Sequence, residues 1–238
     1  MGLVLTNAAR AQFSCSTSQD DMLDWFTMRY PDRIDHHMAG NSNPSYTYMN
    51  PDNGGGGYAD TGYFLWIKGV SGNPWDIKTW DRKFIYDRST ELWWKDPTSF
   101  KRFKQDLRLS PRCIPTGKAG PLLRTPSSGS TYQKYGKCKS TGTNFLGYVR
   151  TQISAPFTAT LSVGPVPARR LTYMYDCDVN YANCTYKEVF GLAHGFGDYD
   201  WKYYKLTNGR YVFQKETILD QEVAGQTTPN LPCTNSYQ

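Results

Sequence analysis

The chain lacks the local signatures of several familiar chemistries. It has no CxxC pair, which removes the sequence support for a zinc ribbon or a thioredoxin-type centre. It has no HxH or HExxH, and its only histidines are His36, His37 and His194. The compact ligand spacings of zinc enzymes are therefore missing. There is no GxSxG elbow, and Ser127 to Ser130 stand in a turn cluster without the strand and helix that a nucleophilic serine needs. Gly54 to Gly57 precede no helical pattern, so they make neither a P-loop nor a dinucleotide loop. No internal repeat is visible, and a mean hydropathy of −0.63 argues against a membrane-spanning chain.

What is present points to export. Six cysteines, an even number, read as a disulfide framework. Cys177 with Cys184 is expected to lock a short hairpin loop. Cys113 with Cys138 is expected to close a Gly/Ser/Pro-rich excursion, and Cys15 with Cys233 to tie the termini. Residues 1–11, MGLVLTNAARA, read as the remnant of a signal peptide, with Ala9-Arg10-Ala11 fitting a small-x-small cleavage site before Gln12. The expectation is a single disulfide-stabilised β domain over residues 12–238, secreted to the extracellular space or periplasm.

The balance of 27 basic and 21 acidic residues gives a net charge of +6. That favours an extracellular polysaccharide or another anionic polymer as partner. For an exported chain, nucleic acid is not expected, and nothing calls for a cofactor.

Strand patterns dominate. Residues 171–177 and 185–193 flank the small loop DVNYAN, and residues 200–206 and 210–219 flank Thr207-Asn208-Gly209. Asn-Gly between alternating apolar runs is a strong hairpin signal. On the second of these hairpin strands, strict alternation puts Tyr211, Phe213 and Thr217 on one face. Residues 146–154 and 157–163 form another strand pair, and residues 62–70, 74–80 and 83–94 supply strands in the first half. Two short helices are expected: one from Ser18 to Arg29, the other after Asp96-Pro97 with Phe100, Phe103 and Leu107 at helical spacing. The fold class is all-β, a mainly antiparallel sandwich or jelly roll with one or two short helices.

Aromatics make up 15% of the chain, and four of seven tryptophans fall within residues 73–97. Alternation places Trp75 and Trp80 on opposite strand faces, and Trp93 opposite Trp94. One set of rings is expected to pack inside and the other to lie at the surface. Trp75, Trp80 and Trp93 would then stack on sugar rings, with Lys78, Arg82 and Arg88 meeting hydroxyls or acidic groups. For catalysis, His36, His37 and His194 are the weak candidates. Asp176, Asp178 and Asn180 have a calcium-like alternation, but Tyr181 and Lys187 replace the glycine and glutamate of an EF-hand.

Arg88 to Leu92, RSTEL, resembles with one insertion the RTEL-type strand of β-jelly-roll alginate lyases. Those enzymes carry glutamine–x–histidine, whereas this chain has Gln152-Ile153-Ser154, so the family is not assigned. The leading expectation is an exported glycan-binding protein. The alternatives are a lyase or hydrolase acting on an acidic polysaccharide, and a structural cell-surface subunit or adhesin.

Overall fold

The structure is a computed structural model that describes residues 13–27, 33–38, 44–49, 62–68, 73–87, 93–96, 99–104, 107–134 and 139–223; side chains are described for 13–27, 80–86, 107–126 and 148–217. In chain order the elements are β1 (Gln19–Asp21), α1 (Leu23–Phe26), β2 (Arg33–Met38), β3 (Pro44–Met49), β4 (Gly62–Lys68), β5 (Asn73–Trp80), β6 (Phe84–Asp87), β7 (Trp93–Asp96), β8 (Ser99–Lys104), β9 (Leu107–Pro111), β10 (Cys113–Pro115), β11 (Leu123–Lys134), β12 (Lys139–Ile153), β13 (Phe157–Leu161), β14 (Gly164–Cys177), β15 (Cys184–Ala193), β16 (Gly197–Thr207) and β17 (Arg210–Val223).

The fold is all-β and antiparallel, as the alternation predicts. β1 pairs with β10, and the other described strands form one sheet in the order β7-β8-β11-β12-β14-β15-β16-β17-β2-β3-β4-β5-β6-β9, with β13 added beside β14. Most neighbours are consecutive or nearly so in the chain, because tight turns such as Asn208-Gly209, both at positive φ, return each strand beside its predecessor. The exceptions are crossovers: β17 lies beside β2, β8 beside β11 and β6 beside β9, and the chain passes from β6, near one end of the path, to β7 at the other. The sheet bends back on itself: β9, at one end of the path, packs on β11 and β12. Thr151 Oγ1 on β12 donates to the Arg108 carbonyl on β9 at 2.8 Å.

Inside the bend lies one apolar core. Met22, Leu23, Trp25 and Phe26 meet Trp80, Ile85, Leu107, Leu109, Ile114, Val149, Ile153, Leu171, Tyr173, Phe190 and Leu192. Residues of β5, β6 and β9, at one end of the strand order, thus share one core with β12, β14 and β15 and with the α1 segment, which acts as a plug. Gly197 permits it to sit there: at φ +76°, its backbone lies where a Cβ would stand 3.2 Å from the Phe26 carbonyl. Two fully buried arginines hold the plug from below. Arg112 donates to both carboxylate oxygens of Asp21 at 3.2–3.3 Å. Arg169 pairs with Asp20 and also donates to the carbonyls of Lys118 and Ser154.

The helical expectations need correction. Of the described residues in 18–29, which end at Thr27, only Leu23–Phe26 are helical, while Gln19–Asp21 pair as a strand with β10. The Asp96-Pro97 signal is overridden as well, since Ser99–Lys104 forms a strand between β7 and β11. Sheet pairing outweighs a local cap there. The expected long strand 83–94 is described as two separate strands, β6 and β7.

The cysteine framework also differs from expectation. Cys15 is bonded to Cys113. That excludes both the Cys113–Cys138 and the Cys15–Cys233 pairings. The turn before β1 explains it: the Gln19 N–H donates to the Ser16 carbonyl, and this reversal returns Cys15 to the Arg112–Cys113 end of β10. Cys177–Cys184 is present as expected, across a directly paired position of β14 and β15. Cys138, Cys233 and residues 1–11 lie outside the described residues.

Candidate functional site

The inner face of β14–β17 carries a row of aromatic side chains that continues the core toward the strand ends. Register places Leu171 opposite Phe190, Tyr173 opposite Glu188 and Tyr175 opposite Tyr186. It then places Trp201 opposite Phe190 and Tyr203 opposite Glu188. Every second residue of each strand therefore falls on one face, with Glu188 in its middle. Tyr175 stacks on Tyr186 at 5.0 Å between centroids, and Tyr186 stacks on Tyr203 at 6.0 Å. Trp201 and Tyr203 lie nearly parallel, 12° apart, at 6.1 Å. Tyr173 is buried at the core end, whereas Tyr175, Tyr186, Trp201 and Tyr203 are half-buried.

Two charges organise the row. Glu188 Oε2 accepts from the Trp201 indole N–H at 2.8 Å. The Lys215 ammonium lies 5.3 Å from the Trp201 ring centroid and 5.5 Å from that of Tyr203, a cation–π arrangement on an exposed side chain. Burial, followed by the negative charge of Glu188 and a hydrogen bond to it, pushes the Tyr175 phenol far above its ordinary value. Burial also raises Tyr203, with Tyr186 and Glu188 adding to it. Both phenols are thus neutral hydrogen-bond donors over the physiological range. Thr217, opposite Trp201, is 3% exposed, and its hydroxyl has no hydrogen-bond partner.

A bulge produces this arrangement. Tyr203 pairs with Lys215 and Tyr204 with Phe213, so Gln214 is the extra residue. The slip puts Lys215 and Thr217 on the inner face and leaves Phe213 and Tyr211 on the outer one. The simple alternation that grouped Tyr211, Phe213 and Thr217 on one face is thereby corrected. On the outer face, Lys187 lies between Tyr204 and Tyr211, 4.2 and 4.8 Å from their centroids.

The tryptophans picked out by sequence density are dispersed by the topology. Trp80 is 2% exposed and sits in the core, so it is not a stacking surface. Trp75 and Lys78 fall on β5, near one end of the strand order, and Trp93 on β7 at the other; their side chains lie outside the described ones. Arg82 is exposed in the turn before β6, and Arg88 lies outside the described residues. The Asp81 carboxylate organises that turn, accepting from the N–H groups of Lys83 and Phe84 and from the Tyr86 hydroxyl. Burial works to raise the Asp81 carboxyl, but these hydrogen bonds together hold it below its ordinary value.

His36 and His37 lie on β2, with side chains outside the described ones. His194 is exposed in the β15–β16 turn, edge-on to Trp25 at 5.2 Å, at the opposite strand end from Tyr186. Asp178 is engaged by its own loop: its carboxylate accepts from the N–H groups of Asn180, Ala182 and Asn183 and from the Asn183 amide. Asp176, at φ 53°, belongs to the end of β14, and Asn180 to the turn that follows it. Among the described residues, no group of three His, Cys, Asp or Glu side chains has metal-holding geometry.

The sequence signal that marks the row is repetition rather than density. Tyr-x-Tyr at 173–175, Tyr-x-Glu at 186–188 and Trp-x-Tyr at 201–203 recur at spacing two on three consecutive strands. No protein-family model, curated protein or solved structure matches the chain.

Proposed function

We propose that the protein is an exported β-sheet protein that binds a glycan along the aromatic row of β14–β17. The observation that carries this reading is the combination on one face of half-buried rings with a fixed acceptor (Glu188), a neutral phenolic donor (Tyr203) and an exposed cation (Lys215). Ring surface suits the C–H faces of a sugar, and alternating donors and acceptors suit its hydroxyls. The unpartnered Thr217 hydroxyl adds one more polar group at the floor. Lys215, with the exposed Lys205 opposite Tyr186, favours a polymer bearing acidic groups.

Binding is preferred over turnover on chemical grounds. A lyase that uses tyrosine as a base needs a phenol that ionises near working pH, and Tyr175 and Tyr203 are displaced in the opposite direction. Export is supported by the two disulfides among the described residues, since such bonds persist in oxidising compartments. No helix among the described residues is long and apolar enough to cross a membrane.

Affinity electrophoresis against neutral and acidic polysaccharides tests the reading. Selective retardation is expected, reduced about tenfold in affinity by Tyr203→Ala, a loss of the size expected for one stacking contact. Lys215→Met is expected to weaken acidic polymers more than neutral ones. Unchanged retardation in folded Tyr203→Ala and Lys215→Met variants would remove the row from the binding site.

A further inference from the structure

β13 has an unusual edge. It pairs with β14 alone among the described residues. Phe157 to Leu161 read Phe-Thr-Ala-Thr-Leu, and no charged residue occurs from Ser154 to Ala168. Natural edge strands are commonly protected by lysine, inward-pointing charge, proline or a bulge. Residues 157–161 have none of these.

The direction of the free backbone groups follows from the prolines opposite. Thr158 pairs with Pro167 and Thr160 with Pro165. Proline has no N–H to donate, and the Pro167 carbonyl accepts from His194 N–H on the far side of β14. These are therefore the non-hydrogen-bonded positions of the β13–β14 ladder. The N–H and C=O groups of Thr158 and Thr160 consequently point away from β14, to the open edge, and both residues are exposed.

We infer that this edge pairs antiparallel with the same edge of a second copy of the chain, about a twofold axis at Ala159. The five residues are nearly palindromic, and that is what selects a second copy. Centring the axis on Ala159 sets Thr158 against Thr160 of the other copy, in the hydrogen-bonded positions, twice over. It sets the small Ala159 against its own equivalent at the close, non-hydrogen-bonded position. It sets Phe157, 38% exposed, against Leu161. Ala159 and Leu161 already pack on the small cluster of Ala168, Ala193, Phe196 and Tyr199. Pairing would place the two clusters side by side on one face of the joined sheet.

Charge agrees with this choice. Each copy carries +6, yet the contacting segment carries none, so repulsion acts only over distance and salt relieves it. Because β13 has a single open edge, the contact closes as a twofold dimer and does not propagate into a fibre. Its size puts it among weak, concentration-dependent associations.

Sedimentation equilibrium on the full chain tests the inference. The expected result is a mass rising from 27.1 kDa toward twice that value with concentration, more steeply at higher salt. The double variants Thr158→Lys/Thr160→Lys and Thr158→Glu/Thr160→Glu change only exposed side chains. Each is expected to stay monomeric, and an equimolar mixture to dimerise, since residue 158 of one copy faces residue 160 of the other. A wild-type chain that remains monomeric, a Lys variant that associates undiminished, or a mixture that fails to pair would each overturn it. None of these outcomes bears on glycan retention, which is read at the opposite end of β14, at Tyr175 and the strands beside it.

Discussion

Arg169 and Asp20 form an ion pair across 149 positions of the chain, with the arginine fully buried. Its guanidinium also lies 4.7 Å from the centroid of the Trp25 ring. One side chain thus fastens β1 and the plug helix to β14. Removing Asp20 leaves a cation in the interior with two carbonyl partners and no counter-charge. Breaking a buried pair in this way costs about 3 kcal/mol, the lower end of the usual range because Asp20 keeps some contact with water. Asp20→Ala is expected to lose about that much in urea unfolding, and Asp20→Asn, which keeps an acceptor, about half. Equal losses would show that the charge contributes nothing.

Gly191 separates Arg170 on β14 from Asp200 on β16, and these two side chains meet over it in an ion pair. A Cβ at 191 would collide with Asp200 Oδ1 and lie 2.6 Å from both Arg170 Nη1 and Tyr199 Cζ. Gly191→Ala therefore either expels the ion pair or distorts the strand, at a cost of at least about 2 kcal/mol. Thermal unfolding measures it. A neutral result would mean that the Arg170–Asp200 bridge is dispensable and moves freely.

These cases mark the limit of what the sequence discloses. Alternation located the strands of the second half closely, because those strands bury one face and the Asn208-Gly209 turn fixes their partner. It failed where long-range pairing decides. Nothing local tells Ser99–Lys104 to be a strand after a good helix cap. Nothing local tells Cys15 to choose Cys113. The aromatic row was missed for a related reason: tryptophan density along the chain points to residues 73–97, but the topology assigns Trp80 to the core and separates β5 from β7 in strand order. Proximity across strands depends on register, and the Gln214 bulge, which turns Lys215 and Thr217 inward, leaves no mark in composition.

The Cys15–Cys113 bond closes a loop with a sequence separation of 98, and Cys177–Cys184 one of 7. On chain entropy alone, the first contributes about 4–5 kcal/mol and the second about 2 kcal/mol. Peptide mapping under non-reducing conditions is expected to recover Cys15 with Cys113. The double variant Cys15→Ser/Cys113→Ser is expected to be the more destabilised of the two double serine variants. A larger loss for Cys177→Ser/Cys184→Ser would show that native packing, and not the unfolded chain, sets the balance.

Asp24 adds a pH dependence. Burial raises its carboxyl above the ordinary 3.8, and Asp21 and then Asp20 push the same way, against opposing contributions from His194 and Arg112. The folded state therefore holds this proton more tightly than the unfolded chain does. The resulting stabilisation is complete below 3.8 and is lost as pH rises through the folded value. At neutral pH the ionised side chain is a net cost, so Asp24→Asn is expected to raise the unfolding temperature at pH 7 and to leave it unchanged near pH 3. A gain of the same size at both pH values would assign the effect to packing.

Glu188 connects stability to the proposed site. Its carboxylate accepts from the Trp201 indole and is hydrogen-bonded to Tyr175, holding two rings of the row in position. Glu188→Leu leaves both donors half-buried without an acceptor, which costs about 2 kcal/mol. Glu188→Gln retains a carbonyl oxygen for one of them and is expected to cost less than half as much. If the row is a binding surface, Glu188→Gln should also weaken glycan retention, because the donors it leaves are fixed less firmly. Stability loss in Glu188→Leu with retention intact in Glu188→Gln would make Glu188 a structural link between strands, and the ligand would then have to lie elsewhere on the sheet.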